Sequence, residues 1–388
     1  LKLTSNIPKM YLLKAIMWFM VAMPIIVLFF EDHGLTLTQI MTLQAIYSIS
    51  VAIFEIPSGY IADVFGRKKS IILSSILCFL GYVIFSNFSN FYFFAFAEVL
   101  IGIGGSLMSG SDSALIYDSL LEENNKKDYT KIEGRNYAIG NFSESFAAIL
   151  GGLLATTSLY LPVYIQTFVL FFSIPVAFSL VEPTIHRVNP MDRSIKAIVG
   201  AIHYSLFVNL KLRWLIIFSG CMGFATLSIA WFAQPLFKDL EIDIFYFGIL
   251  WASLNAAAGV TSFNSHIFEK KVSPFNLMLI VSSIMIISFF LIGFISHISV
   301  LIFVFLIYLL RGVITPVLRS YINDITPSNK RATVLSIRSF FIRIFFASMA
   351  PIIGYIADSY DLDYAFYFIA IFVTFFSFLS ISRFLYYK

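Results

Sequence analysis

The chain has 388 residues, 59% of them hydrophobic and only 12% charged, with a formal net charge of +4. A water-soluble domain carries about 25% charged residues, so this composition excludes a chain made wholly of soluble domains. Apolar runs of roughly 20 residues, enough to cross about 30 Å of hydrocarbon as helix, recur along its whole length.

Twelve spans are predicted, at 10–30, 37–57, 70–88, 91–113, 136–157, 161–180, 213–233, 245–265, 275–295, 299–320, 334–356 and 364–383. The first is too long for a cleavable leader and leads straight into further spans. Trp18 in span one and Gln44 in span two are candidate cavity liners, because apolar pockets orient a ligand with a few polar groups. Glu55 lies about one turn from the end of span two. A short polar hairpin follows, Gly59-Tyr60-Ile61-Ala62-Asp63-Val64-Phe65-Gly66-Arg67-Lys68. Here Gly66 can take positive φ and Asp63 can accept from free N–H groups at a helix start.

Span four carries Glu98, then Gly102, Gly104 and Gly105, and closes on Ser111-Asp112-Ser113-Ala114-Leu115-Ile116-Tyr117-Asp118. A charged connector covers 117–135. Span five contributes Asn141, Glu144 and the paired Gly151-Gly152. Residues 181–212, with Pro183, Pro190 and scattered basic side chains, read as a linker between halves. Trp231, Gln234 and Asn255 on spans seven and eight complete the candidate cavity liners, and Pro235 is expected to break the helix there. Span ten carries Arg311 and leads to Asn323-Asp324-Ile325-Thr326-Pro327 with Lys330-Arg331-Ala332-Thr333. Span eleven carries Arg338, Arg343 and Ala350-Pro351-Ile352-Ile353-Gly354. The pentapeptide Gly-Tyr-Ile-Ala-Asp recurs at Gly354 to Asp358 and is attributed to helix-end composition.

Loop charges set the expected orientation, since cytoplasmic loops are rich in Lys and Arg. With the N-terminus inside, Lys9, Lys14, Arg67, Lys68, Lys69, Lys126, Lys127, Lys330 and Arg331 share one side. The opposite loops offer Lys238 against Glu31, Asp32, Asp239, Glu241, Asp243, Asp361 and Asp363. Both termini are therefore expected in the cytoplasm.

An ionisable group at the bilayer centre costs about 2.5–3.5 kcal/mol on insertion scales, so each needs a partner, a wet cavity or a job. Glu98, Glu144, Arg311 and Arg343 are such groups. Either glutamate is a candidate to take up and release a proton, and either arginine to pair with it or with an anionic part of a substrate. A structural Glu–Arg pair that only fixes packing is the alternative. No cofactor and no metal are expected. His33, His186, His203, His266 and His297 are scattered, and Cys78 and Cys221 read as small core residues.

The hairpin resembles the G-x-x-x-D-x-x-G-R-K loop of the major facilitator superfamily at Gly59, Asp63, Gly66, Arg67 and Lys68. In that family the loop is implied to latch the two halves together on the cytoplasmic side in one state and release them in another. Glu55 and Arg338, on spans that meet in the family's fold, are then expected to form part of the inner gate with Asp63. The R-x-x-x-G-x-G pattern of span four appears with Glu98 in place of the arginine. The antiporter pattern G-P-x-x-G-G of span five keeps its paired glycines, as Ala147-Ala148-Ile149-Leu150-Gly151-Gly152, without the proline. The segments after spans four and ten are similar to those of drug-efflux-like members.

The resemblance implies an all-α integral membrane protein of twelve transmembrane helices. These form two six-helix bundles, 1–180 and 213–388, joined by the linker 181–212 and related by pseudo-twofold symmetry. The function it implies is secondary active transport by alternating access, a proton-coupled efflux of a small amphipathic organic solute. Uptake of an organic anion or metabolite by symport is the alternative, and a membrane sensor or polytopic enzyme the reading of another class. ATP-driven transport is disfavoured because no G-x-x-x-x-G-K-[ST] loop occurs. The expected partners are a small-molecule substrate, protons and membrane lipid, with no nucleic acid. The expected form is a monomer in the inner (cytoplasmic) membrane.

Overall fold

In hydrocarbon every backbone N–H and C=O must be satisfied within the chain, and a helix does this locally. The computed structural model describes residues 3–184, 199–200, 202–327 and 330–387, and no strand occurs among them. Residues 185–198 and 201 of the predicted linker lie outside the described residues. The first helices are α1 (Asn6–Met17), α2 (Ile26–Asp32), α3 (Leu37–Phe65), α4 (Arg67–Asn87), α5 (Phe91–Met108), α6 (Ser111–Glu122), α7 (Tyr129–Ala155), α8 (Tyr160–Phe171) and α9 (Ser173–Ser179). After them come α10 (Leu210–Asp239), α11 (Phe245–Phe263), α12 (Ser265–Lys271), α13 (Pro274–Phe294), α14 (Leu301–Asp324), α15 (Arg331–Ser359) and α16 (Leu362–Tyr386).

Ten helical segments among the described residues are long and apolar enough to cross a membrane. The other two predicted spans take different forms. Span one is a broken rod: α1 stops at Met17, a non-helical stretch follows, and a 3-10 turn at Met23–Ile25 with Pro24 at its start leads into α2. Span eight is α11, 19 residues long, its hydropathy diluted by Asn255, Thr261 and a run of small residues. Span four bends at Ser109 and Gly110, where Gly110 takes φ +80° before α6 begins. The expected break at Pro235 is absent, because α10 runs unbroken from Leu210 to Asp239. Most of that helix is packed against neighbours, and surrounding helices can stabilise a backbone that has lost one hydrogen bond.

Contacts divide the chain into two units. The first comprises Leu1–Gly34, Ile46–Asp192 and Asp243–Ala252; the second comprises Leu35–Ala45, Arg193–Ile242 and Ser253–Lys388. In the first, α4 packs along α5 and α1 along α7. A core of Met10, Leu13, Ile71, Leu115, Ile116 and Leu120 fills the end nearest the hairpin. In the second, α10 is the central helix, packed on α14, α15 and α16, while α13 lies along α16. Small residues set the spacing, as membrane helices pack without help from water. A Cβ on Gly248 would fall 2.1 Å from the Ala148 carbonyl oxygen, and one on Gly312 would fall 2.1 Å from that of Ala258.

Candidate functional site

The hairpin is anchored by carboxylates from distant sequence. Gly66 takes φ +107° between α3 and α4, a conformation that disfavours any side chain. The first N–H groups of a helix lack intrahelical partners and carry the positive end of its dipole. At α4 the Glu182 carboxylate fills that role, accepting from Arg67 N and Lys68 N at 2.7 Å each. A Cβ on Gly66 would lie 2.8 Å from Glu182 Cδ, so glycine is required twice over. The Arg67 side chain turns to Asp118, its Nε 3.5 Å from Oδ2, with Asp118 only 4% exposed. Thus the family loop's arginine is tied to the end of span four. Gly59 and Lys68 lie half-buried beside it, and the Asp63 side chain lies outside the described residues.

The start of the chain closes the same end. Asn6 is buried; it donates to Ser119 Oγ at 2.9 Å and to Val181 O at 2.8 Å, and accepts from Val181 N at 2.8 Å. Glu122 accepts from both the amide and the hydroxyl of Thr184.

An ion pair not anticipated from the sequence joins spans one and four. Lys14 Nζ lies 3.3 Å from Asp112 Oδ2, with the two side chains 16% and 12% exposed. The same ammonium sits 4.7 Å from the centroid of the Trp18 ring, a cation–π distance. Trp18 is therefore held at the point where α1 ends. Beyond it Val21 is buried, and its carbonyl seats on α7: a Cβ on Gly151 would fall 2.0 Å from Val21 O. Gly152 faces α11 in the same way: a Cβ there would fall 2.8 Å from Gly248 N and from Phe245 O. The paired glycines of the antiporter-like pattern thus receive two backbones, one of them the interrupted part of span one.

Of the intramembrane carboxyls, Glu98 is 6% exposed in α5, close enough to Tyr82 of α4 to interact with it electrostatically. Glu144 on α7 accepts from Trp251 Nε1 at 3.4 Å. In the second unit the Arg311 guanidinium stacks 5.5 Å from the Tyr308 ring centroid. The Arg343 Nε is buried without a hydrogen-bond partner among the described residues. Neither Arg311 nor Arg343 has an ion pair among the described residues. Arg338 is 7% exposed, and its Nε donates to Ser219 Oγ on α10 at 2.5 Å. Glu55 is half-buried on α3, its backbone carbonyl accepting from Ser58 Oγ.

Gln44 and Gln234 are buried, Trp18, Trp231 and Asn255 half-buried, and Asn141 exposed with its amide donating to Tyr137 O. Glu182 and Ser219 were not singled out from the sequence, and Lys14, Asp112 and Asp118 entered only as a loop charge and as parts of a motif, without these partners. Lys14 and Asp112 carried one usable signal, a charge of each sign inside predicted spans one and four.

Ten helical segments long and apolar enough to cross a membrane, with charges buried among them, describe a polytopic membrane protein. The chain belongs to the Major Facilitator Superfamily, whose model matches residues 10–313. That membership places it among transporters and not enzymes. It is 25% identical over 362 residues to YxaM of Bacillus subtilis (strain 168), an uncharacterized MFS-type transporter, spanning 90% of this chain and 88% of that one. It is 23% identical over 233 residues to the quinolone resistance protein NorA of Staphylococcus aureus, 59% of each chain. Among solved structures, the nucleoside transporter NupG superposes with a TM-score of 0.80 at 12% identity, covering 99% of both chains. The POT family transporter PepTSo does so with 0.77 at 14%, covering 99% of this chain and 98% of that one. At these identities the two structures share its fold.

Proposed function

We propose that the chain exports a small amphipathic organic solute in exchange for protons. The observation that carries the proton reading is Glu98, 6% exposed in an apolar span, where a carboxyl is costly unless it serves a purpose. Glu144 is the second candidate carrier. Kinship with a quinolone resistance protein supports a drug-like cargo and outward movement. In this reading 1–180 and 213–388 are two six-helix bundles joined by the linker 181–212, and both termini face the cytoplasm. The hairpin residues Gly59, Asp63, Gly66, Arg67 and Lys68, with Glu55 and Arg338, form the inner gate. Trp18, Gln44, Asn141, Trp231, Gln234 and Asn255 line the cavity.

A screen of drugs, metabolites and siderophores by thermal shift identifies the cargo, and substrate-driven pH change in proteoliposomes then tests coupling. E98Q or E144Q is expected to abolish the pH change while leaving substrate binding. Full coupling in both variants overturns the proton assignment.

A second reading is favoured by Arg311 and Arg343, which lack carboxylate partners among the described residues. A guanidinium without a counter-ion suits an organic anion taken up with protons. Under that reading R311Q and R343Q lose affinity for carboxylate-bearing ligands and keep it for neutral ones.

A further inference from the structure

The five residues Gly354 to Asp358 repeat Gly59 to Asp63 letter for letter, and the structure gives the second copy a specific contact. Asp358 Oδ1 accepts from Leu37 N at 2.9 Å, and Oδ2 accepts from Thr38 N at 2.7 Å and from Thr38 Oγ1 at 2.6 Å. These groups open α3, where unpaired N–H groups and the helix dipole both favour a negative charge. Gly354 lies one turn earlier on the same face of α15. A Cβ there would fall 2.7 Å from Leu37 O and 2.8 Å from Thr38 Cα. Glycine therefore permits the approach of the two helices, and aspartate makes the bonds.

This contact is not needed to start α3, which already has a local cap. Thr36 N donates to Gln39 Oε1 at 3.1 Å and Gln39 N to Thr36 Oγ1 at 3.3 Å, the reciprocal arrangement of a capping box. Asp358 adds bonds from 320 residues away along the chain. They lie at an exposed site, where water can replace them as they break. Strong geometry, solvent access and redundancy for folding together describe a contact suited to opening and reclosing. The helix it holds has 29 residues, about 44 Å of rise, and carries the other Gly-Tyr-Ile-Ala-Asp near its opposite end.

We infer that Gly354–Asp358 is a latch, the counterpart of the hairpin at the other end of α3. It holds the first turn of α3 to the last turn of α15 in this conformation and releases it at another stage of the cycle. The inference rests on the transporter reading only in that a carrier passes through more than one conformation.

The test uses the full chain in nanodiscs with nitroxides at Thr42→Cys and Tyr355→Cys, both on the helices concerned; native Cys78 and Cys221 are buried. Pulsed electron–electron distances are expected to show mainly one short population. D358A removes all three bonds and should raise the ratio of long to short distances about tenfold, the effect of losing hydrogen bonds to a charged group. T38V, which keeps both backbone bonds, should shift the ratio less and in the same direction. If D358A fails to fold, D358N and T38V carry the test. Distributions unchanged from wild type in all folded variants overturn the latch. The readout needs neither substrate nor gradient. An unchanged distribution therefore sinks the latch and leaves transport standing, while shifted distances in a protein without flux sink the transport reading alone.

Discussion

Gly66 joins two constraints that separate substitutions would resolve. Its positive φ costs an L-residue about 1–3 kcal/mol, and the Glu182 carboxylate occupies the space a Cβ would need. G66A is expected to lower the thermal midpoint in detergent. In E182A the steric part is gone, so adding G66A there should cost less than in wild type. The Lys14–Asp112 pair makes a sharper case, because a largely buried charge left alone costs about 3–5 kcal/mol. K14M and D112N are each expected to destabilise the protein more than the double variant does, and a thermal double-mutant cycle measures the difference. Neither partnership was legible in the sequence. A carboxylate 115 residues from the amide it caps leaves no periodic trace, and Lys14 reads equally well as a topological charge. The burial of Glu98 was foreseeable, because an acid amid phenylalanine and glycine falls within an apolar span.

At the scale of elements, the interrupted first span depends on α7. Residues 18–22 leave the helical ladder, and irregular backbone at membrane depth persists only where protein covers it. Gly151 supplies the cover for Val21 O. G151A should cost about 1–3 kcal/mol as an overpacked core and should also depress transport. G134A on the same helix, where a new Cβ meets nothing within 4 Å, should leave transport unchanged and raise stability slightly, by about 1 kcal/mol at most. Span positions were readable because each crossing needs about 20 apolar residues, although the helices starting at Leu37 and Leu210 run to 29 and 30 residues. The interruption was not, since Trp18 to Ala22 is as apolar as its flanks and carries no breaker except the later Pro24. Pro235 misled in the opposite direction: local chemistry argued for a break that packing around α10 overrides.

For the whole molecule, the distribution of lysine and arginine carries the orientation argument, as a bilayer sorts loops by charge. A cysteine placed at Lys69, exposed beside the hairpin, is expected to react with an impermeant maleimide in inside-out vesicles and resist it in right-side-out ones. The reverse pattern would invert the topology. Fold class was readable from composition and one decapeptide, because few architectures can satisfy a long apolar chain in lipid. The cargo was not, because recognition depends on which polar side chains converge in space.

Three glycines, at 151, 248 and 312, each leave only about 2 Å between a virtual methyl and a neighbouring carbonyl oxygen. Their tolerance to change should therefore be set by someone else's backbone and not by their own chemistry. A saturation library scored for growth under selection should return glycine alone at these columns. The rings of Phe142, Phe263 and Phe378, each more than 70% exposed, should drift among apolar residues almost at will.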